Sequence, residues 1–180
     1  MQTEGATLTV TALIEQVTSV FSCGRQGPAF NQGSAHSLST AITASGAPSV
    51  GSDGKGTFLF VWPEGDASAQ TLMCSTQSGG YTAGFATPQP CLAGPHTFES
   101  TLAFAIGATG VVATFTMDGH LYTSLWNPST TTLGTPARVE AADTAPSSFA
   151  IADDGAGHAT VVYTVGDHAF ASTFASTLAH

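Results

Sequence analysis

The chain has 180 residues, enough for one domain with a substantial core or for several small units sharing one. With 42% apolar residues, 20 glycines and only 8% charged residues, its composition is unlike that of a disordered chain. A formal net charge of −9, with Lys55, Arg25 and Arg138 as the only fixed cations, leaves no cluster for phosphate groups and argues against nucleic acid or anionic membranes as partners.

Thr, Val, Ala, Phe and Ser are favoured over Lys, Glu and Leu, which points to strands over helices. The first ten residues, MQTEGATLTV, lack the basic and apolar regions of a secretory signal. Then "TALIEQ" and "TSVFSCG" read as two strands across a polar turn. "PSVGS" leads through an acidic-glycine turn at Asp53 and Gly54 into "TFLFVW". There Phe58, Phe60 and Trp62 alternate with Leu59 and Val61. Both faces of this strand are apolar, so its sheet is expected to be covered on both sides. An "EGD" turn leads to "QTLMCST", and a loop leads to a further strand near "TPQPCL".

Residues 100–117, "STLAFAIGATGVVATFTM", are uncharged but interrupted by Gly107 and Gly110. They read as two strands and a turn, not as a membrane span; one continuous helix there would contradict this reading. "MDGH" turns into "LYTSLWN", followed by a loop and "PARVEA". Finally "SFAIA", a turn at Asp154 and Gly155, "ATVVYTV", "VGDH" and "AFASTFA" repeat the scheme.

The scheme is a repeat. Leu13, Trp62, Phe115 and Tyr163 are spaced by 49, 53 and 48 residues. Eight residues before each stands Gly5, Gly54, Gly107 or Gly155, preceded by Glu4, Asp53, Ile106 or Asp154. A period of about 50 residues marks stacked supersecondary units. The expected fold is all-β: a β-propeller-like array of four blade repeats, approximately 4–45, 46–94, 95–143 and 144–180, in a single propeller-type domain. The expected strand counts are three, four, four and three, so the first and last blades are incomplete. Such an array is expected to form a homo-oligomer or to be part of a larger propeller.

"VGSDGKGTFLFVWPEGDASAQTLMCST" and "IADDGAGHATVVYTVGDHAFAS" resemble the repeats of bacterial secreted β-propellers of the sialidase-like type. Those repeats carry a strand, an Asp-x-x-Gly turn, an apolar strand ending in Trp, an Asp-Gly turn and an "xYAS"-like strand. The resemblance covers residues 4 to about 176. It is not a full sialidase Asp-box, because Gly54 and Gly56 are out of phase in "SDGKGTF". It implies a secreted, extracellular or cell-envelope protein with carbohydrate binding as an expected property. Sialidases use an arginine triad and a tyrosine nucleophile; Arg25 and Arg138 alone do not make that triad.

The candidate chemistry is sparse. Cys74 and Cys91 fall on neighbouring strands of one unit, with the connection centred near residues 82–83, so a disulfide between them is expected if they stand opposite each other. A non-hydrogen-bonded antiparallel pair has Cα atoms about 4.5 Å apart. Cys23 is left as a small core residue. His120 and His168 occupy equivalent places after Phe115 and Tyr163, where Thr18 and Ala67 stand in the other units. The acids at Glu4, Asp53 and Asp154, and at Asp66, Asp118 and Asp167, read as turn formers, with calcium at one or two turns as the alternative. No other cofactor or metal is called for, and no residue is singled out as catalytic. Trp126, Tyr122 and Tyr81 are the aromatics placed to bind a sugar. The expected function is a non-catalytic binding or scaffolding module with a glycan or protein partner. The alternative is part of a sialidase-like glycoside hydrolase whose catalytic residues lie outside this chain.

Overall fold

A computed structural model describes residues 9–13, 20–26, 31–32, 36–38, 46–79, 83–99, 102–106, 110–140 and 145–175. Every regular element among them is a strand: β1 (Thr9–Leu13), β2 (Val20–Gln26), β3 (Asn31–Gln32), β4 (His36–Ser37), β5 (Ser49–Ser52), β6 (Phe58–Asp66), β7 (Ala69–Gln77), β8 (Gln89–His96), β9 (Ala103–Ile106), β10 (Val111–Met117), β11 (His120–Trp126), β12 (Ala137–Arg138), β13 (Ser148–Asp153), β14 (His158–Val165) and β15 (His168–Ala175). They form four antiparallel sheets in chain order. The second, third and fourth are β5-β6-β7-β8, β12-β11-β10-β9 and β13-β14-β15. In the first sheet β2 pairs with β1 and with two short pieces, β3 and β4, where a single outer strand stands in the next sheet. Residues 100–117 contribute two strands, with Ile106 opposite Val111. No helix of the described residues is long and apolar enough to cross a membrane.

The alternation along the central strands decides how the sheets meet. Phe60 and Trp62, both fully buried, pack with Leu38, which follows β4. Leu59, Val61 and Leu72 emerge on the opposite face and join Val111, Ala113, Phe115 and Trp126 of the third sheet in the main core. On the far face of the third sheet Leu121 packs with Val161 and Tyr163 of the fourth. Each anchor aromatic thus looks back towards the preceding sheet, and the residues beside it look forward. Strand β9 lies against both β5 and β13, so the first strands of successive sheets adjoin. Gly51 permits this approach, because a Cβ there would come within 2.8 Å of the Phe104 ring.

The first acidic-glycine turns are copies of one design. The Asp53 carboxylate accepts the N–H groups of Lys55 (2.8 Å) and Thr57 (2.9 Å), and Asp154 accepts those of Ala156 (2.7 Å) and His158 (3.0 Å). Gly54 and Gly155 take the positive φ that follows, 69° and 71°, which an L side chain rarely adopts. The carboxylates are thereby committed to their own turns, where Asp154 Oδ2 also meets His158 Nδ1 at 2.9 Å. Burial acts to raise the Asp53 pKa, but the bonds from Thr57 and Lys55 outweigh it and hold the group below its ordinary value. Asp154, bonded to the His158 and Ala156 N–H groups, is lowered to about 2.

Two registers differ from the sequence expectation. The hairpin of the second sheet turns at residues 67 and 68, not at "EGD", because β6 continues through Pro63 and Gly65 to Asp66 opposite Ala69. Pro63 is tolerated because β5 pairs with β6 only as far as Val61, so no ladder partner requires its missing N–H on that edge. The register equivalent of His120 and His168 is therefore Thr71 rather than Ala67, and that of Trp126 and Phe174 is Gln77. Cys74 and Cys91 are joined as a disulfide with Cα atoms 5.4 Å apart. They are not a directly opposed pair. Cys74 faces Gln89, and Cys91 is the extra residue of a β-bulge between the Leu72–Leu92 and Met73–Pro90 pairs.

Candidate functional site

One cluster of charged side chains surrounds the hairpin joining β10 and β11. Asp118 (φ 53°) and Gly119 (φ 78°) form its two-residue turn with the pair of positive φ angles that a type I′ hairpin needs. The Asp118 carboxylate accepts the Thr97 N–H at 2.8 Å and meets His96 Nδ1 at 2.7 Å, tying the end of the second sheet to the third. Glu99 accepts the Gly119 N–H at 2.8 Å. Across the hairpin, the buried Glu140 accepts the Leu121 N–H (2.9 Å) and the Arg138 Nε–H (3.0 Å) and meets His120 Nδ1 (3.0 Å). Partial burial acts to raise the Asp118 pKa; the Thr97 N–H, the His96 hydrogen bond and the nearby charges of His96 and His120 together lower it.

These partners define what the cluster does: it fastens the hairpin to its neighbours. Elsewhere Glu64 accepts the buried Trp62 indole N–H at 2.7 Å, and Asp153 accepts the Gly155 N–H at 2.7 Å. His120 and His168 have different surroundings. The first meets Glu140, while the second stands edge-on to Phe170. No group of three or more His, Cys, Asp or Glu among the described residues is placed to hold a metal ion.

A different surface opens between the third and fourth sheets. A groove of about 450 Å³ is lined by Asn127, Thr130, Thr132, Thr135 and Phe174, with Leu125 at its base. One wall is a tightly bonded loop. Trp126, fully buried, donates its indole N–H to the Thr130 carbonyl at 2.8 Å. Asn127 Oδ1 accepts the Ser129 N–H at 2.9 Å and its hydroxyl at 2.7 Å, and Gly134 N–H is donated to the Leu125 carbonyl at 2.8 Å. A threonine-rich wall facing an aromatic ring offers hydroxyl hydrogen bonding beside apolar contact, and no ionised group among the described residues lines the groove.

Among the aromatics singled out from the sequence, Trp126 supports this wall from beneath and presents no ring face to solvent. Tyr122 is half-buried, stacked on Phe115 at 6.4 Å between centroids, in the core between the second and third sheets. Tyr81 lies outside the described residues, as does Glu4. The groove aromatic is Phe174, the register equivalent of Trp126 one sheet later. That equivalence is the only sequence signal that pointed to it. The chain matches no family model, no curated protein and no solved structure.

Proposed function

We propose that this chain is a propeller-type array of four blades, related to the secreted sialidase-like propellers, and that it serves as a non-catalytic binding module for a neutral glycan. The observation that carries the reading is the groove between the third and fourth sheets, where Phe174 faces a wall of threonine hydroxyls and Asn127. A sugar ring presents apolar C–H faces and a rim of hydroxyls, which this combination matches. The uncharged lining favours neutral over acidic sugars, since none of the described residues lining the groove is an Arg or Lys that could pair with a carboxylate. The Cys74–Cys91 disulfide supports a secreted or envelope location, because such bonds persist in oxidising compartments.

The test is a glycan array probed with the labelled chain, followed by calorimetric titration of any captured sugar. The expected result is capture of neutral oligosaccharides, lost in Phe174→Ala and weakened in Thr132→Ala. Binding that survives both substitutions, or capture of acidic glycans only, would contradict the assignment to this groove. Hydrolysis of a captured glycan would contradict the non-catalytic reading.

A further inference from the structure

We infer that the Cys74–Cys91 disulfide is a positioning element of the groove, setting through the Cys91 carbonyl where the threonine wall stands. The class of ligand it serves rests on the glycan reading above. The reasoning starts from β8, the outer strand of the second sheet. Its sequence is QPCLAGPH, and neither Pro90 nor Pro95 has an N–H to give to a ladder. Its register on β7 breaks twice. From Gln70 to Leu72 the pairing runs on β8 from His96 to Leu92, and Gly94 takes a φ of 107° within that stretch. Cys91 is then the extra residue of the bulge, without a ladder partner of its own. Backbone pairing therefore leaves Cys91 unplaced, and the cross-link to Cys74 supplies its fixed point. Cys74 itself is firmly set, opposite Val61 of the central strand and fully buried.

The groove wall hangs from that point. Within the third sheet, the Trp126 indole N–H holds the Thr130 carbonyl and the Gly134 N–H holds the Leu125 carbonyl. A further bond leaves the third sheet: Leu133 donates its N–H to the Cys91 carbonyl at 3.3 Å. A carbonyl on the open edge of a sheet ordinarily faces solvent or another strand; here it takes the loop. The Leu133 side chain, 8% exposed, belongs to the same core as both cysteines, and its backbone bridges to Trp126. Leu133 stands between Thr132 and Gly134, which line the groove together with Thr130 and Thr135. A shift of Cys91 is thus passed through a hydrogen bond and core packing to the residues that meet the ligand. Hydroxyl contacts weaken steeply once distance and angle depart from the hydrogen-bonding range, so wall placement governs affinity.

The test compares the oxidised chain with the chain reduced by a phosphine, which takes the disulfide to two thiols and itself becomes the phosphine oxide. Both carry Cys23→Ala and are measured at a temperature at which circular dichroism shows them folded. Nitrogen-15 relaxation is expected to show the backbone order parameters of Thr130, Thr132 and Leu133 falling on reduction from the rigid value of about 0.85 towards about 0.6, with those of β10 and β14 unchanged. A cross-link that acts on the unfolded chain alone moves none of them. Calorimetric titration with maltotetraose and cellotetraose is expected to give a Kd about tenfold higher for the reduced chain, the scale of one or two lost hydrogen bonds. Should the reduced chain unfold, Leu133→Ala keeps the disulfide, removes the wall's anchor in the core, and is expected to produce the same two changes. Order parameters at the wall that do not move overturn the inference, as does an affinity indifferent to a loosened wall. If neither sugar binds the oxidised chain while the wall loosens on reduction, the positioning role stands and the glycan reading falls.

Discussion

Reducing the Cys74–Cys91 disulfide should lower the stability of the chain by about 3 kcal/mol. The two residues are separated by 17 positions, and a cross-link closing a loop of that size removes about 3 kcal/mol of conformational entropy from the unfolded chain. Both sulfurs sit in the main core, with Cys74 0% and Cys91 4% exposed, beside Leu59, Val61 and Leu72. A pair of reduced thiols occupies nearly the same volume, so reduction removes the cross-link while leaving the packing in place. Serine substitution would add two buried hydroxyls and confuse the comparison. For a chain of this length about 3 kcal/mol corresponds to a fall in Tm of roughly 6–12 °C. The assay is thermal unfolding followed by circular dichroism with and without a phosphine reductant, in a Cys23→Ala background that prevents reshuffling. Alkylation and mass spectrometry before reduction provide the control. A Tm that does not move, or free Cys74 and Cys91 thiols in the untreated protein, would refute the reasoning.

Other outcomes follow from single contacts. Thr114→Val should raise stability by about 1 kcal/mol in denaturant titration, because the buried Thr114 hydroxyl has no hydrogen-bond partner among the described residues and the methyl keeps its shape; a loss of stability would contradict this. Glu140→Leu should cost about 2 kcal/mol, since it leaves the buried Leu121 N–H without its acceptor; a neutral effect would mean that the cluster does not hold the hairpin. The Asp53 and Asp154 carboxylates have lowered pKa values in the folded chain, so their contribution is complete above the ordinary aspartate range and is lost as the pH falls. For Asp154 the window runs from the ordinary 3.8 down to about 2. Asp154→Asn should therefore flatten the fall in Tm across that window, and an unaltered acid profile would show that the turn carboxylate is not responsible.

The strand pattern was legible because each central strand alternates with an apolar anchor face, both faces of "TFLFVW" are apolar, and the acidic-glycine turns recur. "TFLFVW", "VVATFTM" and "ATVVYTV" become β6, β10 and β14 within a few residues of their expected ends. The second hairpin was misplaced for a physical reason: Glu64, Gly65 and Asp66 have turn composition, yet Glu64 is held in β6 by the Trp62 indole and Gly65 takes a φ of 114° within the strand. Sequence spacing put Cys74 and Cys91 on adjacent strands but did not reveal the bulge that brings them together. The ionic cluster was not legible, because Glu140 meets His120 and the Leu121 N–H across about twenty residues of chain, through tertiary packing. Aromatic content drew attention to Trp126, while burial reserves that ring for the core and leaves Phe174 at the groove.

Stacking of successive sheets in chain order is the feature on which the groove and the ionic cluster both depend. It is tested most directly by methyl-resolved nuclear Overhauser spectra of the isotopically labelled chain. The account predicts cross-peaks from Val61 to Val111 and from Leu121 to Val161, and none from Val61 to Val161, which are separated by the whole third sheet. Absence of the Leu121–Val161 peak, or a direct Val61–Val161 peak, would contradict the order of the stack.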